Sequence, residues 1–247
     1  MVDIESRPLP VPPRPWGYVA TLAWALLAAV LSIVCSVGVL ALWNGGRLEA
    51  PPDLLTDGPL LANVTLVSTI VEIGIVGFAA RLGYWRATDY LALVIPDSRT
   101  AVIPLAFMAV FVVGYDALTW LLNHDIVTPF QLDTYRSARA AGGLAMLWTT
   151  FVIAAPLGEE IVFRGFLYRG WAQSPRAVAP AIVVISALWA MIHVQYDWFG
   201  ILQIFLIGLV LGWARWRSGS TLLTFALHGL ANAWAMLQTV VKIEWLS

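Results

Sequence analysis

The chain has 247 residues, of which 60% are hydrophobic and only 12% are charged, and its formal net charge is −1. Soluble domains carry about 25% charged residues, so this composition excludes an ordinary soluble enzyme and predicts a protein that crosses the membrane several times. The small negative charge argues against nucleic acid as a partner. Cys35 is the one cysteine, so no disulfide bond can form within the chain.

The N-terminal residues 1–16 predict a disordered, proline-rich tail, because Pro8–Pro15 favours an extended polyproline conformation. The apolar run from Trp16 to Trp43 is far longer than the ~7–15 residues of a signal-peptide core, and it predicts a first transmembrane helix. No internal repeat is visible. Residues 17–247 therefore read as one integral membrane domain.

About 20 apolar residues span a bilayer as a helix, so the sequence predicts an all-α, polytopic transmembrane helix bundle. The stretches that qualify or nearly qualify, about seven in number, are 17–43, 60–80, 101–122, 141–163, 178–196, 199–214 and 221–241. An eighth short or re-entrant element near 164–177 is the alternative, and it would reverse the direction of every later helix.

Arginine and lysine predict the orientation, because they concentrate in cytoplasmic loops. With the N-terminus inside, the cytoplasmic side receives nine of these residues: Arg7, Arg14, Arg81, Arg86, Arg99, Arg169, Arg176, Arg215 and Arg217. The outer side receives four: Arg47, Arg136, Arg139 and Lys242. We therefore expect a bacterial-type plasma membrane protein with a cytoplasmic N-terminus and an outer C-terminus.

Ionisable side chains inside membrane spans are costly and indicate functional sites. Those within the predicted spans are Glu72, Asp116, Glu159, Glu160, Arg164, His193 and His228. Glu72 and Asp116 are expected to form hydrogen bonds with neighbouring helices, with Glu72 lining a cavity as the alternative.

Glu159 and Glu160 are adjacent in an apolar segment. Arg164 follows Glu160 by four residues, in the order that favours an ion pair along a helix. Such a pair leaves Glu159 unexplained, because it is rotated by about 100° from Glu160. Pro156 and Gly158 predict a locally broken helix, which is tolerated in a membrane where it lines a cavity.

Two of the three histidines lie in later apolar spans. Trp189 and His193 share a helix face, as do His228 and Asn232, and each pair alone is typical of contacts between membrane helices. Together with Glu159, they form a set that can take a proton from water and donate hydrogen bonds to an oxyanion. Glu159, His193 and His228 could also bind a divalent metal such as zinc.

The order Glu159-Glu160-x-x-x-Arg164, then Trp189-x-x-x-His193, then His228-x-x-x-Asn232 resembles the CPBP intramembrane proteases. That family includes type II CAAX prenyl endopeptidases, bacteriocin-processing or self-immunity proteins and abortive-infection-like proteins. The resemblance covers about residues 141–240, the catalytic-core region. One departure is that the second motif usually begins with Phe, where this chain has Trp189.

The resemblance implies a helix bundle around a catalytic cavity and hydrolysis of a peptide bond in a membrane-associated substrate. It implies that Glu159 activates water with help from His193, while His228 and Asn232 stabilise the oxyanion or help to bind metal. Glu160 would support the site, and Arg164 would pair with an acid. It leaves open a metalloprotease or a metal-free glutamate mechanism, since no H-E-x-x-H motif is present.

Two other classes of function remain open from the sequence: a non-catalytic membrane immunity or scaffold protein, and a proton-coupled transporter. Against the transporter, no paired repeats with broken helices are visible. The partners expected are the lipid bilayer and a substrate that enters laterally or from the cytoplasmic face; the oligomeric state is left open. The predicted boundaries also place Glu159 and His193 on the order of 10 Å apart in depth.

Overall fold

The structure, a computed structural model, describes residues 14–47 and 54–246, and over these ranges it consists of helices joined by short turns, without any strand. The helices are α1 (Tyr18–Trp43), α2 (Gly58–Leu82), α3 (Ala87–Tyr90), α4 (Ser98–Leu121), α5 (Pro129–Ala140), α6 (Leu144–Trp171), α7 (Pro175–Met191), α8 (Trp198–Ser218) and α9 (Thr221–Glu244). This arrangement confirms the predicted all-α bundle.

Five of these helices, α1, α2, α4, α6 and α8, are long and apolar enough to cross a membrane. α7 is apolar but has only 17 residues, and α9 has 24 residues with several polar side chains. All seven predicted stretches are thus helical. Large apolar side chains such as Val19 and Ile70 face outward, as expected for contact with lipid. The chain is an integral membrane protein.

The helix termini show why the chain turns where it does. Asp57 accepts a hydrogen bond from the backbone N–H of Leu60 at the start of α2, and Ser220 accepts one from Leu223 at the start of α9. These side chains satisfy backbone donors that the first helical turn leaves free. α8 ends at Gly219, whose φ of +68° is a left-handed conformation that favours glycine.

Contacts between helix ends define the two ends of the bundle. At one end, Trp16 Nε1 donates to the carbonyl of Ala79 (2.9 Å), and Trp171 Nε1 donates to that of Tyr18 (3.1 Å). This end, here called the arginine-rich end, carries Arg14, Arg81, Arg86, Arg99, Arg169, Arg176, Arg215 and Arg217. The opposite end, here called the cavity end, carries Arg47, Arg136, Arg139 and Lys242. The predicted segregation of basic residues is therefore visible in the fold, with Arg7 outside the described residues.

α5 lies at the cavity end and was not expected from hydropathy, since it is polar. It begins with a capping box in which Thr128 and Gln131 each accept a hydrogen bond from the other's backbone N–H. Gly58 allows α5 to approach α2, because a Cβ at that position would lie 2.8 Å from the Cβ of Ala138. α5 thus forms part of the rim at the cavity end.

α6 carries both glutamates and is not a regular α-helix. It is π-helical over Thr150–Ala154 and again over Ile161–Leu167, on either side of the segment that contains Glu159 and Glu160. The sequence predicts a break in the helix near Pro156, but the helix continues there and changes between α- and π-helical winding. Single π-helical turns are rare and frequently lie at functional sites.

The helices that carry Glu159 and His193 end at other residues than the sequence predicts. α6 extends to Trp171, eight residues past the predicted end at 163, and α7 ends at Met191, five residues before the predicted end at 196. From the turn at 172–174, Glu159 lies about 18 Å along α6 and Trp189 about 21 Å along α7 at 1.5 Å per residue. Trp189, the first residue of the second motif, is therefore level with Glu159, and His193 lies beyond it toward the cavity end.

The N-terminal tail can be assessed only in part. Residues 1–13 lie outside the described residues, so the disorder predicted for them stays a prediction. Trp16 belongs to the packed structure, where its ring lies against Trp24 with the centroids 6.2 Å apart. The ordered chain therefore includes at least the last residue of the segment predicted as a tail.

Candidate active site

Glu160 and Arg164 form the predicted ion pair, and both are completely buried. Arg164 Nη1 donates to Glu160 Oε1 at 2.8 Å, and Arg164 Nη2 donates to the carbonyl of Gly208 on α8 at 3.2 Å. Since α6 is π-helical from Ile161, the pair lies within a widened turn. The contact to Gly208 anchors α6 to α8, so the pair fixes the position of the adjacent Glu159.

Trp189 lies at the centre of the site. Its indole Nε1 donates to Glu159 Oε2 at 2.5 Å, and the guanidinium carbon of Arg164 lies 4.5 Å from the centroid of its ring. Cation–π contacts of this kind are favourable within about 6 Å. Trp189 therefore connects the buried ion pair to Glu159, through a donor that the Phe usual at this motif position does not have.

The rings of His193 and His228 both lie edge-on to Trp189, each with its centroid 5.1 Å from the Trp ring. His193 Nδ1 lies 2.8 Å from the carbonyl of Trp189. Because a carbonyl only accepts, Nδ1 carries the proton and Nε2 remains available. The half-buried position of His193 at the end of α7 leaves this nitrogen close to the cavity.

His228 is buried, and its Nδ1 lies 3.1 Å from Glu160 Oε1. A carboxylate also only accepts, so Nδ1 donates and Nε2 is again the free nitrogen. Glu160 thus accepts from both Arg164 and His228 through one oxygen atom. Glu160 therefore contacts both side chains and limits their orientation.

Asn232 supports the first π-helical segment of α6. Its Nδ2 donates to the carbonyl of Phe151 at 2.9 Å. In an i→i−5 pattern, that carbonyl would accept from residue 156, but Pro156 has no N–H. Gly229 permits the approach, because a Cβ there would lie 2.7 Å from the carbonyl oxygen of Val152. One N–H of the Asn232 amide is therefore committed to structure, and one remains.

These side chains surround a cavity of about 700 Å³. Glu159, Trp189, His193, His228 and Asn232 line it, whereas Glu160 and Arg164 lie behind its wall. The other acidic side chains at the lining are Asp116, Asp125 and Asp197, and no lysine or arginine lines it among the described residues. The structure brings the predicted residues together at one cavity, which has a negative lining.

The arrangement does not fit the predicted metal site. Within residues 14–47 and 54–246, no three His, Cys, Asp or Glu side chains are grouped closely enough to hold a metal ion. The carboxylate of Glu159 is bonded to Trp189, and Nδ1 of His228 is bonded to Glu160. Binding through Glu159, His193 and His228 would require these side chains to move, so we derive no step that passes through a metal.

Asp116 forms the contacts expected of it, since its Oδ2 accepts from Trp234 Nε1 (2.8 Å) and Gln238 Nε2 (2.7 Å) on α9. Neither Trp234 nor Gln238 was identified from the sequence, because their spacing to Asp116 exceeds 100 residues and carries no local pattern. Glu72 interacts with Ser32 of α1 and is not among the described residues that line the cavity.

Residues 141–234 match a family model described as type II CAAX prenyl endopeptidase Rce1-like. An uncharacterized 24.3 kDa protein of Escherichia coli is 30% identical over 116 residues, which cover 44% of this chain and 51% of that protein. The chain thus spans about half the length of the curated relative that it matches. No solved structure matches the chain significantly.

The matched segment begins just before α6 and ends within α9, so it contains all three ordered motifs. It also contains every side chain of the Glu160–Arg164–Trp189–Glu159 network. Residues 141–234 are thus similar to the Rce1-like type II CAAX prenyl endopeptidases, a protease family, and this match supports the resemblance that the three motifs carry.

Proposed function

We propose that this protein is an intramembrane endopeptidase that hydrolyses a peptide bond of a membrane-associated protein or peptide. The observation that carries the proposal is the placement of Glu159, a carboxylate at the cavity surface, held by Trp189, whose ring also contacts His193 and His228. A carboxylate base at a cavity that can hold water, with two imidazoles lining the same cavity, is an arrangement that supports hydrolysis.

In the proposed reaction, Glu159 removes a proton from water, and the hydroxide oxygen adds to the substrate carbonyl carbon. The carbonyl oxygen becomes an oxyanion. The C–N bond then breaks, and Glu159 returns the proton to the leaving amine nitrogen. General acid–base catalysis of this kind contributes about 100-fold to 10,000-fold in rate.

The oxyanion is stabilised by groups on α9. The Nδ1–H of His228 is held by Glu160, so that Nε2 can donate when the ring carries both protons, and Asn232 donates with its remaining N–H. His193, held through Nδ1 by the Trp189 carbonyl, presents Nε2 to the attacking water. Glu160 and Arg164 act by orienting these groups from behind the wall, which gives the two adjacent glutamates separate roles.

The test is Glu159→Gln, assayed in purified protein with a peptide library. Loss of cleavage by at least about 100-fold is expected, since the amide cannot act as a base. Asp89→Asn is the control, because it replaces an exposed acid by its amide at the arginine-rich end, away from the cavity. Cleavage by Glu159→Gln at the rate of the unsubstituted protein would refute the mechanism.

A further inference from the structure

We propose that the cavity opens on the outer face of the membrane, so that the substrate is an extended polypeptide segment presented from the extracytoplasmic side. That the bound polypeptide is cleaved rests on the proposed protease function. The direction in which the cavity opens does not depend on that function. The sequence instead led us to expect a substrate that enters laterally or from the cytoplasmic face.

Basic residues are more numerous at one end of the bundle than at the other. The arginine-rich end carries eight described arginines, against three arginines and one lysine at the cavity end. Arg215 donates to the carbonyl of Arg164 within the bundle, so it need not mark the membrane surface. Without Arg215, the arginine-rich end still carries seven basic residues, against four at the cavity end. Because lysine and arginine concentrate on the cytoplasmic side, the arginine-rich end faces the cytoplasm and the cavity end faces outward.

The cavity opens at the end of the bundle where α7 is too short to cover it. α7 ends at Met191, only two residues past Trp189, whereas α6 continues for 15 residues from Glu159 back to Leu144, about 22 Å at 1.5 Å per residue. The space left by the short α7 is lined by residues of the cavity end: His124, Thr128, Gln131, Gln195, Tyr196 and Gln238.

Buried side chains close the cavity on the side of the arginine-rich end. Arg164 and Phe166 are fully buried on the other side of Glu159, and the Phe166 ring packs against Tyr90 with the centroids 5.4 Å apart. These side chains fill the bundle between the site and the arginine-rich end. A substrate therefore reaches Glu159 through the outer opening.

The volume of the cavity limits what can enter it. A cavity of about 700 Å³ is within the range of sites for small ligands, about 300–1,000 Å³. It accommodates a few residues of extended chain and excludes a folded domain. The substrate inferred is thus an unfolded, membrane-proximal segment on the outer side of a membrane-anchored polypeptide.

The orientation is tested by labelling single cysteines in intact cells with a membrane-impermeant maleimide. Cys35→Ser removes the native cysteine, and Val194→Cys and Tyr84→Cys then place single thiols at the cavity end and the arginine-rich end, at positions 74% and 91% exposed. We expect Val194→Cys to react in intact cells and Tyr84→Cys to react only after permeabilisation. Protection of Val194→Cys, or reaction of Tyr84→Cys, in intact cells overturns the inference.

The direction of substrate entry is tested with a peptide library added to sealed membrane vesicles, using Glu159→Gln vesicles as the control. Cleavage in right-side-out but not inside-out vesicles is expected. Cleavage confined to inside-out vesicles overturns this inference and leaves the protease function standing. Absence of cleavage in detergent as well as in both kinds of vesicle refutes the protease function, while the labelling result still decides the orientation.

Discussion

Replacing Trp189 with Phe removes a single hydrogen bond from the proposed catalytic base and leaves an aromatic ring in place. The indole Nε1 donates to Glu159 Oε2 at 2.5 Å, and the ring supports the guanidinium of Arg164. Phe retains the second contact and loses the first. The substitution therefore isolates how much the orientation of Glu159 contributes to catalysis.

The magnitude follows from the charge of the acceptor. A hydrogen bond to a charged group contributes about 1.5–3 kcal/mol. Each ~1.4 kcal/mol in the barrier changes the rate tenfold, so kcat should fall by about 10-fold to 150-fold. KM should change little, because Trp189 is 2% exposed and Phe preserves most of the wall that the substrate meets.

The assay compares kcat and KM for Trp189→Phe and Trp213→Phe with a peptide that the unsubstituted protein cleaves. Trp213 packs against Phe107 away from the cavity, so its replacement controls for a general effect of losing an indole. Thermal unfolding in detergent checks that both variants are folded. A kcat for Trp189→Phe within about twofold of the control would refute the proposed positioning role, since it corresponds to well under 1 kcal/mol.

Three further predictions concern stability and cofactor use. Arg164→Met should lower the free energy of unfolding by about 3–5 kcal/mol, because it leaves Glu160 buried without its cation; adding Glu160→Gln should recover part of the loss in a detergent unfolding assay. Gly229→Ala should cost about 1–3 kcal/mol through contact with the Val152 carbonyl, whereas Gly114→Ala, with open space around its Cβ, should be neutral or stabilising; equal unfolding curves would contradict this. Cleavage should persist after dialysis against a chelator, because the donors do not fit a metal site; loss of cleavage that zinc restores would support the metalloprotease alternative.

Much of the site could be predicted because its residues form short motifs on separate helices. Glu159, His193, His228 and Asn232 were identified from spacing of four residues and chain order, and all of them line the cavity. The pairing of Glu160 with Arg164 also followed from helix geometry. These inferences needed local periodicity, the cost of isolated charges in lipid, and the resemblance of the ordered motifs to the CPBP proteases.

Other features depend on packing that a single sequence does not display. The end of α6 was placed too early because Arg164 and Arg169 resemble the polar end of a span. In the fold, Arg164 is neutralised by Glu160, and Arg169 lies over the ring of Trp85. The hydrogen bond from Trp189 to Glu159 depends on the register of α6 against α7, which hydropathy does not determine.

The shortness of α7 makes the surrounding lipid part of the access route. Its 17 residues reach about 25 Å, less than the ~30 Å thickness of the hydrocarbon core. Val183, Leu188 and Met191 face outward, so lipid must meet this helix along its length. Mismatch of this kind thins the bilayer locally, which draws headgroups and water down toward His193. A thicker membrane resists that thinning, and the hydration of the active site therefore depends on the acyl-chain length of its neighbours.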